Sequence, residues 1–131
     1  MVLSRVFDQM LEHARQESPA ECCGLLAGSQ EVVTKIFRTP NALASRSEYF
    51  IAPQELVAAL RSMRERGLKH LGIYHSHPHS ENVPSSRDID RAYYPSCAYF
   101  IISLEAPAAR ALRAFKIHAG NVIELEVEAI P

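Results

Sequence analysis

His75 and His77 stand two residues apart in the segment His75-Ser76-His77-Pro78-His79-Ser80-Glu81-Asn82-Val83-Pro84-Ser85-Ser86-Arg87-Asp88. Alternate residues of an extended chain project to the same side, so both imidazoles can reach one ion. Zinc takes nitrogen and carboxylate oxygen ligands at about 2.0 to 2.2 Å and, in catalytic sites, keeps one position open for water. Two histidines therefore need a third protein ligand, and Asp88, on the helical segment that follows, is the candidate. A hydrolase that activates water on a metal also needs a general base that is not itself a ligand. Glu21 suits that role: in Ser18-Pro19-Ala20-Glu21-Cys22-Cys23-Gly24 it opens an apolar run. A carboxylate at the margin of a sheet could there face the strand end that bears His75.

Each of these residues also has a plainer use. Ser85-Ser86-Arg87-Asp88 reads as a capping box, with serine at the N-cap and an acidic residue three positions on. Capping and chemistry can coexist for Ser85, but an Asp88 that ligates a metal is expected to turn away from the helix start. His79 reads as a solvated loop residue, because a fourth protein ligand would close the site to water. His13, His70 and His118 are isolated and read as structural. Cys22 and Cys23 suit a buried strand as small apolar residues, and Cys97 is the one thiol that could approach them for a disulfide.

The elements that must hold these groups follow from periodicity. From Leu3 to about Glu17 the apolar residues Leu3, Val6, Phe7, Met10, Leu11 and Ala14 recur at spacings of three and four, which predicts an amphipathic helix with Ser4 as a possible cap, ended by Pro19. Cys22 to Gly28 and Val32 to Phe37 read as a hairpin turning at Gly28-Ser29-Gln30. The polar stretch Thr39 to Glu48 has no period and reads as a loop. Pro53 to Arg66 predicts a second helix, with Pro53 in its first turn, Leu56, Val57, Leu60 and Met63 or Arg64 at helical spacing, and Gly67 as its C-terminal cap. Lys69 to Tyr74 is a buried strand running into His75. Ser86 to Ala92 is a short helix stopped by Pro95, and Cys97 to Leu104 is an apolar strand. Ala111 to His118 and Val122 to Val127 form a second hairpin through Ala119-Gly120-Asn121. The sum is a mixed α/β (α+β) fold in one domain, 1–131, with helices on a mostly antiparallel sheet.

Composition agrees with one ordinary domain. The chain has 131 residues, 47% of them hydrophobic and 22% charged, with a formal net charge of -1. Its cations are scattered, which argues against nucleic acid or an anionic membrane as a partner. The first ten residues carry Arg5 and Asp8, so they lack the apolar stretch of a signal peptide, and no window reaches the length of a membrane span. Three cysteines, two of them adjacent, do not make a secreted disulfide framework. The reading is an intracellular, cytoplasmic and reduced protein.

Glu21, then His75-x-His77, seven residues, Ser85, two residues and Asp88, resembles the JAMM (MPN-plus) metallopeptidases. The run Glu21-Cys22-Cys23-Gly24-Leu25-Leu26 is similar to the family's glutamate-bearing strand, and the element order matches across nearly the whole chain. The resemblance implies a JAB/MPN-like, cytidine-deaminase-like fold with a curved sheet, and one Zn2+ per chain on His75, His77 and Asp88. It also implies Glu21 as the base and Ser85 as an oxyanion donor. Iron or manganese would suit the same ligands. Small free-standing members resemble bacterial enzymes that trim an amino acid or short extension from the C-terminal tail of ubiquitin-like sulfur-carrier proteins, which is the substrate expected here. A peptidase of small or cell-wall peptides is the alternative within the fold. A catalytically silent MPN scaffold is the alternative outside enzymology, against which stands the filling of all five motif positions. Connections as short as these leave little room for the insertions with which relatives read polyubiquitin.

Overall fold

The computed structural model describes residues 1–131. Its elements in chain order are β1 (Val2–Leu3), α1 (Ser4–Glu17), β2 (Cys23–Ser29), β3 (Val32–Thr39), α2 (Pro53–Glu65), β4 (Lys69–His77), α3 (Ser86–Asp90), β5 (Ala98–Ser103), a 3-10 turn (Ala108–Arg110), β6 (Leu112–His118), β7 (Asn121–Leu125) and β8 (Ala129–Ile130). All strands join one eight-stranded sheet in the order β7-β6-β5-β4-β2-β3-β1-β8. The β2–β3, β2–β4, β5–β6 and β6–β7 pairs are antiparallel, whereas β4–β5 is parallel, and so are the contacts of β1 with β3 and β8.

Helix α1 lies on one face of the sheet because Val6, Met10, His13 and Ala14 fall on one stripe and are buried. They pack with Leu26, Tyr74, Phe100 and Ile102. On β2 the neighbours of Leu26 point the other way: Leu25 and Ala27 meet Ala59 and Met63 of α2. Both faces of the central strands are therefore covered, which is why they read as continuous apolar runs rather than alternating ones. Burying a side chain such as Met10 or Leu25 contributes roughly 1.5 to 3 kcal/mol. β4 and β5, the parallel pair, run side by side with His75 opposite Ile101 and His77 opposite Ser103. The crossover from the end of β4 back to the start of β5 carries the rest of the motif.

Several expectations are revised. Ser4 does not cap α1; its hydroxyl donates to the Ile130 carbonyl at 3.1 Å, tying the helix start to β8. The β2–β3 turn falls at Gln30 and Glu31, both with positive φ, not at Gly28-Ser29-Gln30. Gly28 sits within the pairing, at an irregularity, where a Cβ would lie 1.8 Å from the Val32 carbonyl oxygen. Val57 is exposed; α2 buries Met63, as expected, together with Ala59, and Leu56 and Leu60 pack against them. β4 extends through His77, α3 stops at Asp90, and β1 and β8 were not foreseen. Gly67 (φ 67°) follows α2 as expected, and Ala119 and Gly120, both with positive φ, turn β6 into β7.

Candidate metal centre and active site

β4 sits between β2 and β5, so its last residues are among the most enclosed in the molecule: His75, Ser76 and His77 are all buried. The period of the strand puts the His75 and His77 rings on one side, and their Nε2 atoms are 3.0 Å apart. Asp88 enters from α3, with Oδ2 3.2 Å from His75 Nε2 and 3.1 Å from His77 Nε2. The three atoms make a nearly equilateral triangle. A tetrahedral ion with bonds of about 2.0 to 2.1 Å needs ligand atoms about 3.3 to 3.4 Å apart, so the group can hold one metal ion with shifts of a few tenths of an ångström.

The tautomer agrees with that use. His77 Nδ1–H donates to the Glu81 carbonyl at 2.7 Å, and in the neutral ring this leaves the Nε2 lone pair facing the other two ligand atoms. Glu81 is held nearby because Ser103 donates to the Ser80 carbonyl, while Asn82 donates to the carbonyls of Arg110 and Ile101. His75 is oriented differently. Its Nδ1 is buried without a hydrogen-bond partner, and the ring is stacked on Tyr49 at 4.4 Å with a 21° interplanar angle.

Asp88 does not turn away from the helix start. The Ser85 N–H donates to the same Oδ2 at 2.9 Å, and the Asp88 N–H donates to Ser85 Oγ at 3.1 Å, so the capping box is complete while the carboxylate faces both imidazoles. Burial pushes the Asp88 carboxyl up, but the adjoining His75 and His77 imidazoles and the Ser85 N–H outweigh it and hold the group well below the carboxylate range. Burial likewise lowers His75, and the adjoining Asp88 only partly offsets this. His77 is raised: burial works against it, but Asp88 and the Glu81 carbonyl prevail.

Glu21 lies two residues before β2, whose first residue, Cys23, is paired with His75. β2 is an interior strand, so the carboxylate stands at a strand end inside the sheet rather than on an edge strand. It is 4% exposed and its Oε1 has no partner. Burial pushes its pKa up to about 8; among the charges acting on it, His77 and Arg87 lower it while Asp88 and Glu48 raise it. A partnerless buried carboxylate beside three convergent ligand atoms is what a proton carrier requires.

Beside Asp88 opens a groove of about 580 Å³, walled by Leu43, Tyr49, Phe50, Ile73, Tyr94 and Tyr99, with Glu48, Arg87 and Arg91 on its rim. Glu48 pairs with Arg87 at 3.5 Å and with Arg91 at 3.1 Å. Sequence reasoning missed Tyr49 and this rim, because nothing in an aperiodic polar stretch says which side chains return to the strand ends. His79 is exposed and outside the ligand group. His13 meets the Tyr74 hydroxyl at 2.7 Å, and burial, then Arg38, pushes its pKa down to about 4. His70 contacts the Gly72 carbonyl. All three cysteines are free; Cys97 contacts His70 and makes no disulfide.

Residues 3–118 match the family model described as prokaryotic homologs of the JAB domain. Over 103 residues the chain is 40% identical to a desampylase of Haloferax volcanii, covering 73% of this chain and 74% of that one. It is 30% identical over 132 residues to the CysO-cysteine peptidase of Mycobacterium tuberculosis, covering 99% and 90%. A Desulfitobacterium hafniense protein solved in solution superposes with a TM-score of 0.89 at 34% identity, over 98% of this chain and 91% of that one. With the family model spanning most of its length, this chain belongs to the prokaryotic JAB-domain family.

Proposed function

We propose that the protein is a zinc-dependent peptidase that hydrolyses the amide bond following the C-terminal tail of a ubiquitin-like sulfur-carrier protein, and that residues 1–131 act as one catalytic domain. The observation that carries this reading is the convergence of His75 Nε2, His77 Nε2 and Asp88 Oδ2 within 3.2 Å of one another in a chain whose Glu21 is buried with a free carboxylate oxygen. The names of the two relatives, one a desampylase and one a peptidase of a CysO–cysteine conjugate, support the choice of substrate.

A zinc ion held by His75, His77 and Asp88 would polarise the scissile carbonyl and lower the pKa of water to about 7. Glu21 takes the proton from the attacking water and delivers it to the leaving amine, so the one residue serves as base and then as acid. Its burial suits that double duty: Oε1 has no hydrogen-bond partner and is free to take up the proton and give it back. Ser85 Oγ already accepts from the Asp88 N–H, so its own hydrogen is left to donate to the developing oxyanion, a contact worth roughly 3 to 4 kcal/mol of barrier. The groove against Tyr49 and Phe50 receives the extended tail.

The test is intact-mass spectrometry of a ubiquitin-like sulfur carrier bearing a C-terminal amino-acid extension, incubated with zinc-loaded protein and, in parallel, with Glu21→Gln. Loss of the extension with wild type alone is the expected result. An intact carrier in both reactions would overturn the substrate assignment and direct the search to cell-wall peptides.

A further inference from the structure

The segment between β3 and α2 has no helix or strand of its own, yet it reaches the base, one imidazole and the helix that carries Asp88. We propose that the Asn41 carboxamide is the positioning residue that ties this segment to Glu21, so that the wall of the groove and the base move as one unit. This deepens the peptidase reading and rests on Glu21 being the base.

Asn41 uses all of its hydrogen-bonding capacity at this junction. Its Nδ2 donates to the Glu21 carbonyl at 3.0 Å and to the Glu48 carbonyl at 2.9 Å. Its Oδ1 accepts from the N–H groups of Leu43 and Phe50, each at 3.1 Å. A carboxamide offers two N–H donors and one oxygen with two lone pairs, and here every one is taken. The partners also fix which way the amide faces, since carbonyls only accept and backbone N–H groups only donate. On the other side of the same residue, the Glu21 N–H donates to the Ser45 carbonyl at 2.8 Å. The backbone of Glu21 is thus held through both its N–H and its carbonyl by one loop.

The far end of that loop faces the ligands. Tyr49 stacks on His75, and Glu48 pairs with Arg87, next to Asp88 on α3, and with Arg91, just past the end of that helix. Tyr49 and Phe50 also wall the groove. A tail pressed against them loads the segment whose shape the Asn41 amide sets, and the load reaches the Glu21 carbonyl through that amide, with the Ser45 carbonyl holding the Glu21 N–H. Few other residue types can stand in. Aspartate keeps the two acceptors but turns a carboxylate toward two carbonyl oxygens. Alanine removes all four bonds.

The experiment compares Asn41→Asp and Asn41→Ala with wild type, each zinc-loaded, on the extended carrier protein. Metal content is read by elemental analysis and unfolding by calorimetry. We expect one metal per chain in all three, and kcat lowered about 10- to 100-fold in both variants, the scale of a small misplacement of a catalytic group. In single-turnover reactions with enzyme in excess, adding Asn41→Asp to Glu21→Gln should change the residual rate less than about 2-fold, because residues that act through one another are not additive. Amide exchange at Leu43 and Phe50 should quicken in Asn41→Ala and stay slow in Asn41→Asp. The proposal is overturned by an equal loss in both backgrounds, by a loss that follows metal content or unfolding temperature, or by wild-type kcat in both Asn41 variants. Should Asn41→Asp fail to unfold cooperatively, Asn41→Ala, free of the charge clash, carries the comparison. Wild-type activity in Glu21→Gln would instead remove the base assignment itself, an outcome distinct from failure of the clamp alone.

Discussion

Replacing Glu21 with glutamine should stabilise the metal-free protein while abolishing turnover, and the gain should grow with pH. The carboxyl is 4% exposed with one oxygen unpartnered, and burial raises its pKa from 4.5 to about 8. Between those values the folded state keeps a proton that the unfolded chain has lost, so stability is fully present below about pH 4.5 and falls as pH rises towards 8. A span of about 3.5 pH units at 1.36 kcal/mol each sets a ceiling of about 5 kcal/mol. Local relaxation and water entry reduce such penalties, leaving an expected gap of about 2 kcal/mol at pH 8. Unfolding entropy of about 2.1 cal/mol/K per residue over this chain converts that gap to roughly 7 °C in Tm. The assay is urea unfolding of EDTA-treated wild type and Glu21→Gln at pH 5, 6, 7 and 8. Near pH 5 the curves should nearly coincide, since protonated glutamate and glutamine are close to isosteric. By pH 8 the variant should be the more stable, and zinc should narrow the gap by giving the carboxylate a counter-charge. Parallel curves, or a variant less stable than wild type at pH 8, would refute the reasoning. Function would explain why this position keeps a residue that destabilises the empty site.

Two other substitutions probe the ligand set and its support. Asp88→Asn preserves size and an acceptor for the Ser85 N–H but removes the anion; elemental analysis should find less than about a tenth of the wild-type metal. Gly24→Ala would place a Cβ 2.5 Å from both the Phe37 carbonyl oxygen and Tyr74 Cε1, and 2.6 Å from the Tyr74 hydroxyl. Tyr74 is fully buried and bonded to His13, so it has nowhere to go. Calorimetry should show a loss of about 3 kcal/mol or more, from overpacking together with the broken hydrogen bond.

What was legible in the sequence is what local periodicity encodes. Both long helices and every strand of five residues or more could be placed, because each carries its own apolar pattern and its own stops at Pro19, Pro53, Gly67 or Gly120. β1 and β8 have two residues each and exist because Val2 and Leu3 pair with Ala129 and Ile130 and Val2 with Val33, contacts with no local signature. Val57 was misplaced because the apolar spacing of α2 admits two neighbouring faces, and only packing against Leu25 and Ala27 chooses Ala59 and Met63. The ligand atoms were readable because all three lie on one short segment. Asn41, Glu48 and Tyr49 were not, since their meaning lies in partners far along the chain: the Glu21 carbonyl, Arg87 and Arg91, and the face of His75. Pro40-Asn41 signals a turn, and the Leu43 N–H bonded to Asn41 Oδ1 is that turn; the two donors that reach elsewhere leave no mark in composition.

Asp88 shows why capping and ligation were wrongly opposed. A carboxylate oxygen has more than one lone-pair direction, and Oδ2 accepts the Ser85 N–H while facing both imidazole nitrogens. The cap therefore aims the third ligand. With α3 only five residues long and largely exposed, little packing fixes the side chain, and the reciprocal pair of bonds with Ser85 supplies the orientation instead, as outer hydrogen bonds do for ligands generally. The two-residue gap between Ser85 and Asp88 is then a requirement of the first helical turn, which brings N-cap and N3 together, rather than of the metal. The serine proposed to assist the oxyanion is also the residue that positions the ligand. In such a motif a helix-start pattern strengthens the case for chemistry.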